Sequence, residues 1–226
     1  MIQGKVVPVA NLSDKQMNDM FAIMQKYYDN IEWNNFYNDL TRKLDTVILC
    51  DESDTIKGFT TLALFEYREN IRILFSGDTV VEREYWGANN LPHIWAKNAI
   101  EHSENFMGTT YWLLLSKGYK TYRYLHAFFN EFYPRFDAET PKFAIDIIDG
   151  FCRQNWGEKY QNGVIKMGKD YLKDGVAAID EKQMKDKNTA FFVEKNPNYQ
   201  KGDELVCLAE ISLPNLNKLG RKILGR

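Results

Sequence analysis

Hydrophobic positions change spacing along the chain, and each change marks an element. Residues 5–9 (KVVPV) read as a short strand, with Pro8 removing a ladder donor and so favouring an edge. Ser13 then caps a helix in which Met17, Met20, Phe21 and Met24 recur at helical spacing, and residues 31–43 supply a second amphipathic stretch. Residues 45–52, 57–67 and 70–81 are strand-like runs joined by short connectors, so an antiparallel meander is the economical arrangement. Beyond Val81 the period returns to that of a helix, which Pro92 opens and in which Ile94, Trp95, Asn98, Ala99 and His102 share a side.

Residues 109–117 (TTYWLLLSK) carry an apolar run of the kind found in central, parallel strands buried on both faces. A helix over 121–134 follows, striped by Leu125, Phe128, Phe129 and Phe132, and another over 141–151. Residues 152–188, rich in Gly, Lys, Asp and Asn, predict an exposed insertion of low core content. Residues 190–196 and 203–211 predict a hairpin, and 214–226 a short amphipathic helix that either docks on the domain or touches a membrane surface. The predicted class is α/β (α+β), a mixed and mostly antiparallel central sheet with flanking helices and a C-terminal β-hairpin, in one domain over 1–226.

Composition narrows the function. With 44% hydrophobic and 27% charged residues the chain is globular in character, and the 14% of aromatics suits either a bulky core or a wall around a large apolar ligand. A formal charge of −2 provides no global footprint for nucleic acid. Cys50, Cys152 and Cys207 are widely spaced and odd in number, which fits a reducing, cytoplasmic setting and no metal site. Neither a leader nor a membrane span is expected, so membrane contact is at most peripheral. Nucleophile elbow, Walker loop and dinucleotide fingerprint are all missing, which leaves hydrolase, kinase and dehydrogenase readings without support.

The order strand, two helices, three strands, helix, strand, helix resembles the GNAT superfamily of N-acyltransferases. The likeness is densest in TVVEREYWGANNLPHIW, similar to that family's crossover from the fourth strand to the third helix, and in YWLLLSKGYKTYRYLHAFFNEFYPRF, similar to its fifth strand and fourth helix. The resemblance implies an acyl-CoA or acyl-phosphopantetheine donor and an amine acceptor on a small molecule, lipid precursor or peptide. It places the donor's pantetheine against Thr79, Val80 and Val81, and its pyrophosphate near Trp86, Gly87, Ala88, Asn89 and Asn90, where a helix N-terminus favours an anion. Of the family's glycines only Gly87 is kept, and Trp86 replaces the usual Arg or Gln. An acyl carrier protein is the other donor the resemblance allows, with Lys117, Lys120 and Arg123 as a basic landing place or simply a solvated helix start.

Aminolysis of a thioester requires a deprotonated amine, a donor to the developing oxyanion and a proton for the leaving thiolate. Asp78, in an otherwise apolar strand, reads as general base or amine anchor, or as the cap of a bulge marked by Gly77. Tyr122 and His126 lie four apart on one side of a helix and are candidates for the proton donor, with Tyr124 as a substitute; packing is the other reading for the tyrosines. His93 is placed to assist an anion, while His102 reads as a surface or core histidine. A medium or long acyl chain is inferred from the aromatics alone. The competing class is a catalytically silent binding module that keeps the cleft.

Overall fold

The meander predicted over 45–81 forms, and one long sheet grows from it. The computed structural model describes residues 2–87, 90–167, 172–173, 175–176 and 178–225. Its strands are β1 (Gln3–Pro8), β2 (Asp45–Cys50), β3 (Ile56–Arg68), β4 (Ile71–Val81), β5 (Thr109–Ser116), β6 (Tyr160–Gln161), β7 (Val164–Ile165) and β8 (Glu204–Glu210). Among the described residues they lie in the order β1-β2-β3-β4-β5-β8-β7-β6. Neighbours are antiparallel except β4 and β5, which are parallel. The run at 109–117 thus occupies the central parallel position its apolar character implies, and β1, with its proline, lies at an edge.

Helices cover both faces. On one, α1 (Asp14–Tyr27) and α2 (Trp33–Leu40) seat Met20, Ile23, Met24, Phe36 and Leu40 on Ile48, Phe59 and Val80, and α5 (Lys142–Trp156) packs Ile147 and Phe151 with Ile73 and Leu113. On the other, α3 (Leu91–Glu104), α4 (Tyr119–Phe128) and α7 (Lys187–Lys195) bury Ala99, Ile100, Leu125 and Phe192 with Leu62, Leu74, Trp112 and Leu114. All six residues of β2 are buried because α1 and α2 take one side and Leu91 of α3 the other. Ser13 caps α1 in a reciprocal box with Gln16, an arrangement worth about 1 kcal/mol.

Two sequence expectations are corrected. Residues 190–196 are not a strand: Asp186 accepts from the Thr189 amide at 2.9 Å and starts α7, whose Thr189 and Phe192 point inward one turn apart. A short apolar run fits both periods, and the cap decides it. The antiparallel neighbours of β8 are instead β5, β7 and an isolated bridge to Tyr133. The stretch 152–188 is exposed over most of its described residues, in keeping with its composition; Cys152 closes the buried face of α5, Tyr160 and Ile165 are buried in β6 and β7, and α6 (Glu181–Met184) belongs to the same stretch. The predicted helix over 121–134 stops at Phe128, where Phe129 turns extended. The tail forms α8 (Lys218–Ile223) and docks, with Asn217 donating to the Ala127 carbonyl at 3.0 Å and Gly220 against Phe128 O, where a Cβ would collide. No described helix is long and apolar enough to cross a membrane.

Candidate functional site

Pairing between β4 and β5 ends at Ser76 and Leu114, and from there the strands part. Residues 79–81 stay paired with β3, while Leu115 and Ser116 follow β8. Two features fix the fork. Trp112 donates its indole N–H to Ser76 Oγ at 2.7 Å just below it, and Gly77 with Asp78 stands opposite the single residue Thr61, a bulge that bends β4 away. A Cβ at Gly77 would strike Thr61 Oγ1 and Lys43 Cε, so a larger residue there must displace both side chains. Glu82 donates its amide to Lys57 O at 2.8 Å; by the alternation of an antiparallel pair, the backbone groups of Thr79 and Val81 face away from β3 and into the fork.

The two faces of the fork differ in chemistry. On the α3 and α4 side a narrow slot is lined by Thr79, Trp95, Trp112, Tyr124, Phe128 and Ile223, among others. On the α1 and α2 side stand ionisable groups. Asp78 keeps a partly accessible side chain, yet the dense protein around it, with the charge of Asp39, pushes its carboxyl up to about 6 against the opposing pull of Lys117 and Lys43. Lys117 Nζ lies 3.4 Å from Glu204 and 5.4 Å from the centre of the Tyr28 ring, and Lys43 Nζ lies 2.8 Å from Asp39. Burial, followed by the charges of Asp78 and Glu204, pushes the Tyr28 phenol well above its ordinary range, so it stays protonated.

The crossover after β4 closes the mouth. Trp86 turns back and donates its indole N–H to the Val81 carbonyl at 2.7 Å, and Lys120 Nζ sits 4.2 Å from the centre of its ring. Arg83 lies on the same ring at 5.8 Å, while Lys120 also donates to the Val176 carbonyl at 3.2 Å. Gly87 takes φ +79°, Asn90 is the N-cap residue of α3, and His93 is exposed in its first turn. Ala88 and Asn89 lie outside the described residues. Part of the insertion crosses the end of α1, where Leu172 bridges Tyr28 and Lys173 donates its amide to Tyr27 O at 2.9 Å.

Of the residues singled out in the sequence, Asp78, Thr79, Val81, Trp86 and Lys117 meet around this fork. Val80 lies on β4 too, but its side chain is buried under α1. Tyr122 and His126 are directed elsewhere. Tyr122 is fully buried, donates to Pro134 O at 2.9 Å and packs on Phe192, so its hydroxyl serves the α4 layer. Burial lowers the His126 pKa, and Asp186 and Arg123 are the charges it feels. The candidate Tyr124 does line the slot. His102 meets Asp45 Oδ2 at 2.9 Å, a structural role at the base of α3. Tyr28, Asp39, Lys43 and Glu204 escaped sequence reasoning: Asp39 and Lys43 form one i,i+4 pair at the end of α2, but no spacing links that pair to Tyr28 at the end of α1 or to Glu204 at the start of β8. Among the described residues no group of His, Cys, Asp and Glu is arranged to hold a metal.

No protein-family model matches the chain, and no curated protein matches it. Solved structures similar to it include the GNAT family N-acetyltransferase YhbS from Escherichia coli in complex with CoA, with 10% identity, a TM-score of 0.40, and coverage of 57% of this chain and 67% of that one. The NatC complex bound to Gag peptide and CoA is similar at 15% identity and a TM-score of 0.44, over 56% of this chain and 84% of that one. Arabidopsis thaliana NAA60 in complex with acetyl-CoA is similar at 9% identity and a TM-score of 0.41, over 62% and 93%.

Proposed function

We propose that this chain transfers an acyl group from acyl-CoA to an amine. The fork carries the reading: parallel strands that part after Ser76 and Leu114 turn the Thr79 backbone and the Val81 amide, whose carbonyl Trp86 holds, into a gap between an apolar slot and a cluster of ionisable groups. A pantetheine arm has amides to pair with such an edge, and the start of α3, which follows Trp86 and the Arg83 and Lys120 cations on its ring, favours its pyrophosphate. The acyl group then rests in the slot, and the amine approaches from the α1 and α2 side.

Asp78 removes a proton from the ammonium of the acceptor. The freed nitrogen bonds to the thioester carbon; as the C–S bond breaks, the nitrogen passes its second proton to water and the sulfur takes one from Tyr28 and leaves as the thiol, after which water returns a proton to Tyr28 and Asp78 releases its own to solvent. Tyr28, kept neutral, donates to the sulfur, and Lys117 offsets the charge that develops. Holding amine and thioester together supplies roughly 7 to 11 kcal/mol of the acceleration, so a base at about 6 is sufficient.

A CoA donor is favoured over a carrier protein because Lys117 and Lys120 turn inward to Glu204 and Trp86, leaving Arg123 as the exposed member of the expected basic patch. Purified protein incubated with an acyl-CoA ladder and a pool of primary amines is expected to release free CoA thiol and form an amide. Retention of acyl-CoA without thiol release supports the silent binding module instead, and release only from acyl carrier protein overturns the choice of donor.

A further inference from the structure

Toward the other end of β5 a second concavity of about 280 Å³ opens beside β8, with Tyr111 three residues, or about 10 Å, along the strand from Leu114 where the fork opens. Tyr111 stands directly across from Glu210 in the β5 and β8 register, and Tyr133 pairs with Leu208 on the opposite edge of β8. Phe143, in the first turn of α5, closes the third side, with its ring 6.3 Å from Tyr111 and 6.0 Å from Tyr133, the latter at 88°. Glu131 completes the lining. Three rings at differing angles and two carboxylates thus line one concavity, and ring faces and carboxylates both attract cations.

The enclosure is built rather than incidental. Asn215 accepts from the Glu131 amide at 2.8 Å and donates to the carbonyls of Glu131 at 2.9 Å and Glu210 at 3.0 Å, so one side chain fixes the backbone under both carboxylates. Neither carboxylate is in an ion pair among the described residues, whereas Arg135 and Lys142 of the flanking segments are engaged by Asp137 and Asp146. Burial first, and then Glu210, pushes the Tyr111 phenol up, which keeps that ring neutral beside the acid. Phe143 stays 47% exposed although its ring faces two tyrosines, a cost that a ligand covering it would remove.

We propose that this concavity binds an organic ammonium ion, a head group of alkylated-amine or lysine type, at a site separate from the fork. Its volume suits a head group rather than a whole large ligand. The shared chemistry is a soft cation against rings and carboxylates, carried by a free metabolite or by a side chain of a peptide.

Isothermal titration of the full chain with choline, with N-acetyl-trimethyllysine amide, with N-acetyl-lysine amide and with the neutral isostere 3,3-dimethyl-1-butanol tests it. At least one cation is expected to bind saturably, about tenfold or more tighter than the isostere, and to weaken with salt. Choline alone points to a metabolite, and a lysine derivative alone to a peptide. Phe143→Ala, at a half-exposed position, is expected to reduce binding by about tenfold with an unchanged melting temperature. Should that variant unfold, the Glu131→Gln and Glu210→Gln pair gives the same reading. Equal binding of the isostere, no saturable cation, or full affinity in the folded variants overturns the proposal.

Discussion

Trp86 returns its indole N–H to the carbonyl of Val81, five residues earlier in the chain, at 2.7 Å. This bond folds the crossover onto the end of β4 and lays the tryptophan ring under Lys120, so one residue closes both the strand edge and the mouth of the fork. Replacement by alanine removes a hydrogen bond of about 1 kcal/mol and the cation's seat together. Trp86→Ala is expected to raise the KM for the acyl donor roughly tenfold while leaving kcat within about twofold, as initial-rate kinetics will show.

On the proposed mechanism Asp78 sets the pH dependence. A base at about 6 makes kcat/KM rise through that pH and level off above it, and Asp78→Asn is expected to flatten this limb and lower the plateau by roughly 10²- to 10⁴-fold. Stability moves the opposite way. The folded carboxyl holds its proton more tightly than the unfolded one, whose pKa is near 4, so its contribution is fully present below about 4 and lost as pH rises through about 6. At pH 7 the asparagine variant is therefore expected to be more stable by on the order of 1 to 2 kcal/mol in urea titrations.

Tyrosines 28 and 122 separate function from packing. Tyr122→Phe strands the Pro134 carbonyl and is expected to cost about 1 to 3 kcal/mol of stability with kcat of the folded enzyme unchanged. Tyr28→Phe is expected to lower kcat by about tenfold or more with little loss of stability. Paired denaturant titrations and turnover assays check both.

The bulge is the hinge of the site. Gly77→Ala places a methyl group on Thr61 and Lys43, and is expected to destabilise the protein by roughly 1 to 3 kcal/mol and to cut turnover in the fraction that folds, because Asp78 rides on the same bulge.

The slot has its own test. Each methylene that enters it adds about 0.8 kcal/mol, or about fourfold in kcat/KM, along an acyl-CoA ladder until Trp95, Trp112 and Phe128 leave no more room. A ladder with no slope places the acyl chain outside the slot.

Local signals made much of this architecture legible. Ser13 with Gln16, the short connectors of the meander and the apolar run at 109–117 each prescribe one element, and each element forms. Residues 190–196 failed because Phe191, Phe192 and Val193 suit strand and helix alike, and the deciding cap, Asp186, lies before the run. The site divides the same way. Asp78 is visible as an acid in an apolar strand, whereas Tyr28 and Glu204 join it only once the sheet is assembled, and of the two readings open for Tyr122 its contact with Phe192 selects packing.

Amide hydrogen exchange of the full chain with and without a saturating nonhydrolysable acyl-CoA thioether reads the fork directly. Slowed exchange at Thr79 and Val81, with unchanged exchange at Leu113 and Leu114 in the paired stretch, is the predicted result. Unaltered exchange at both β4 amides while the thioether is bound places the donor elsewhere and contradicts the account.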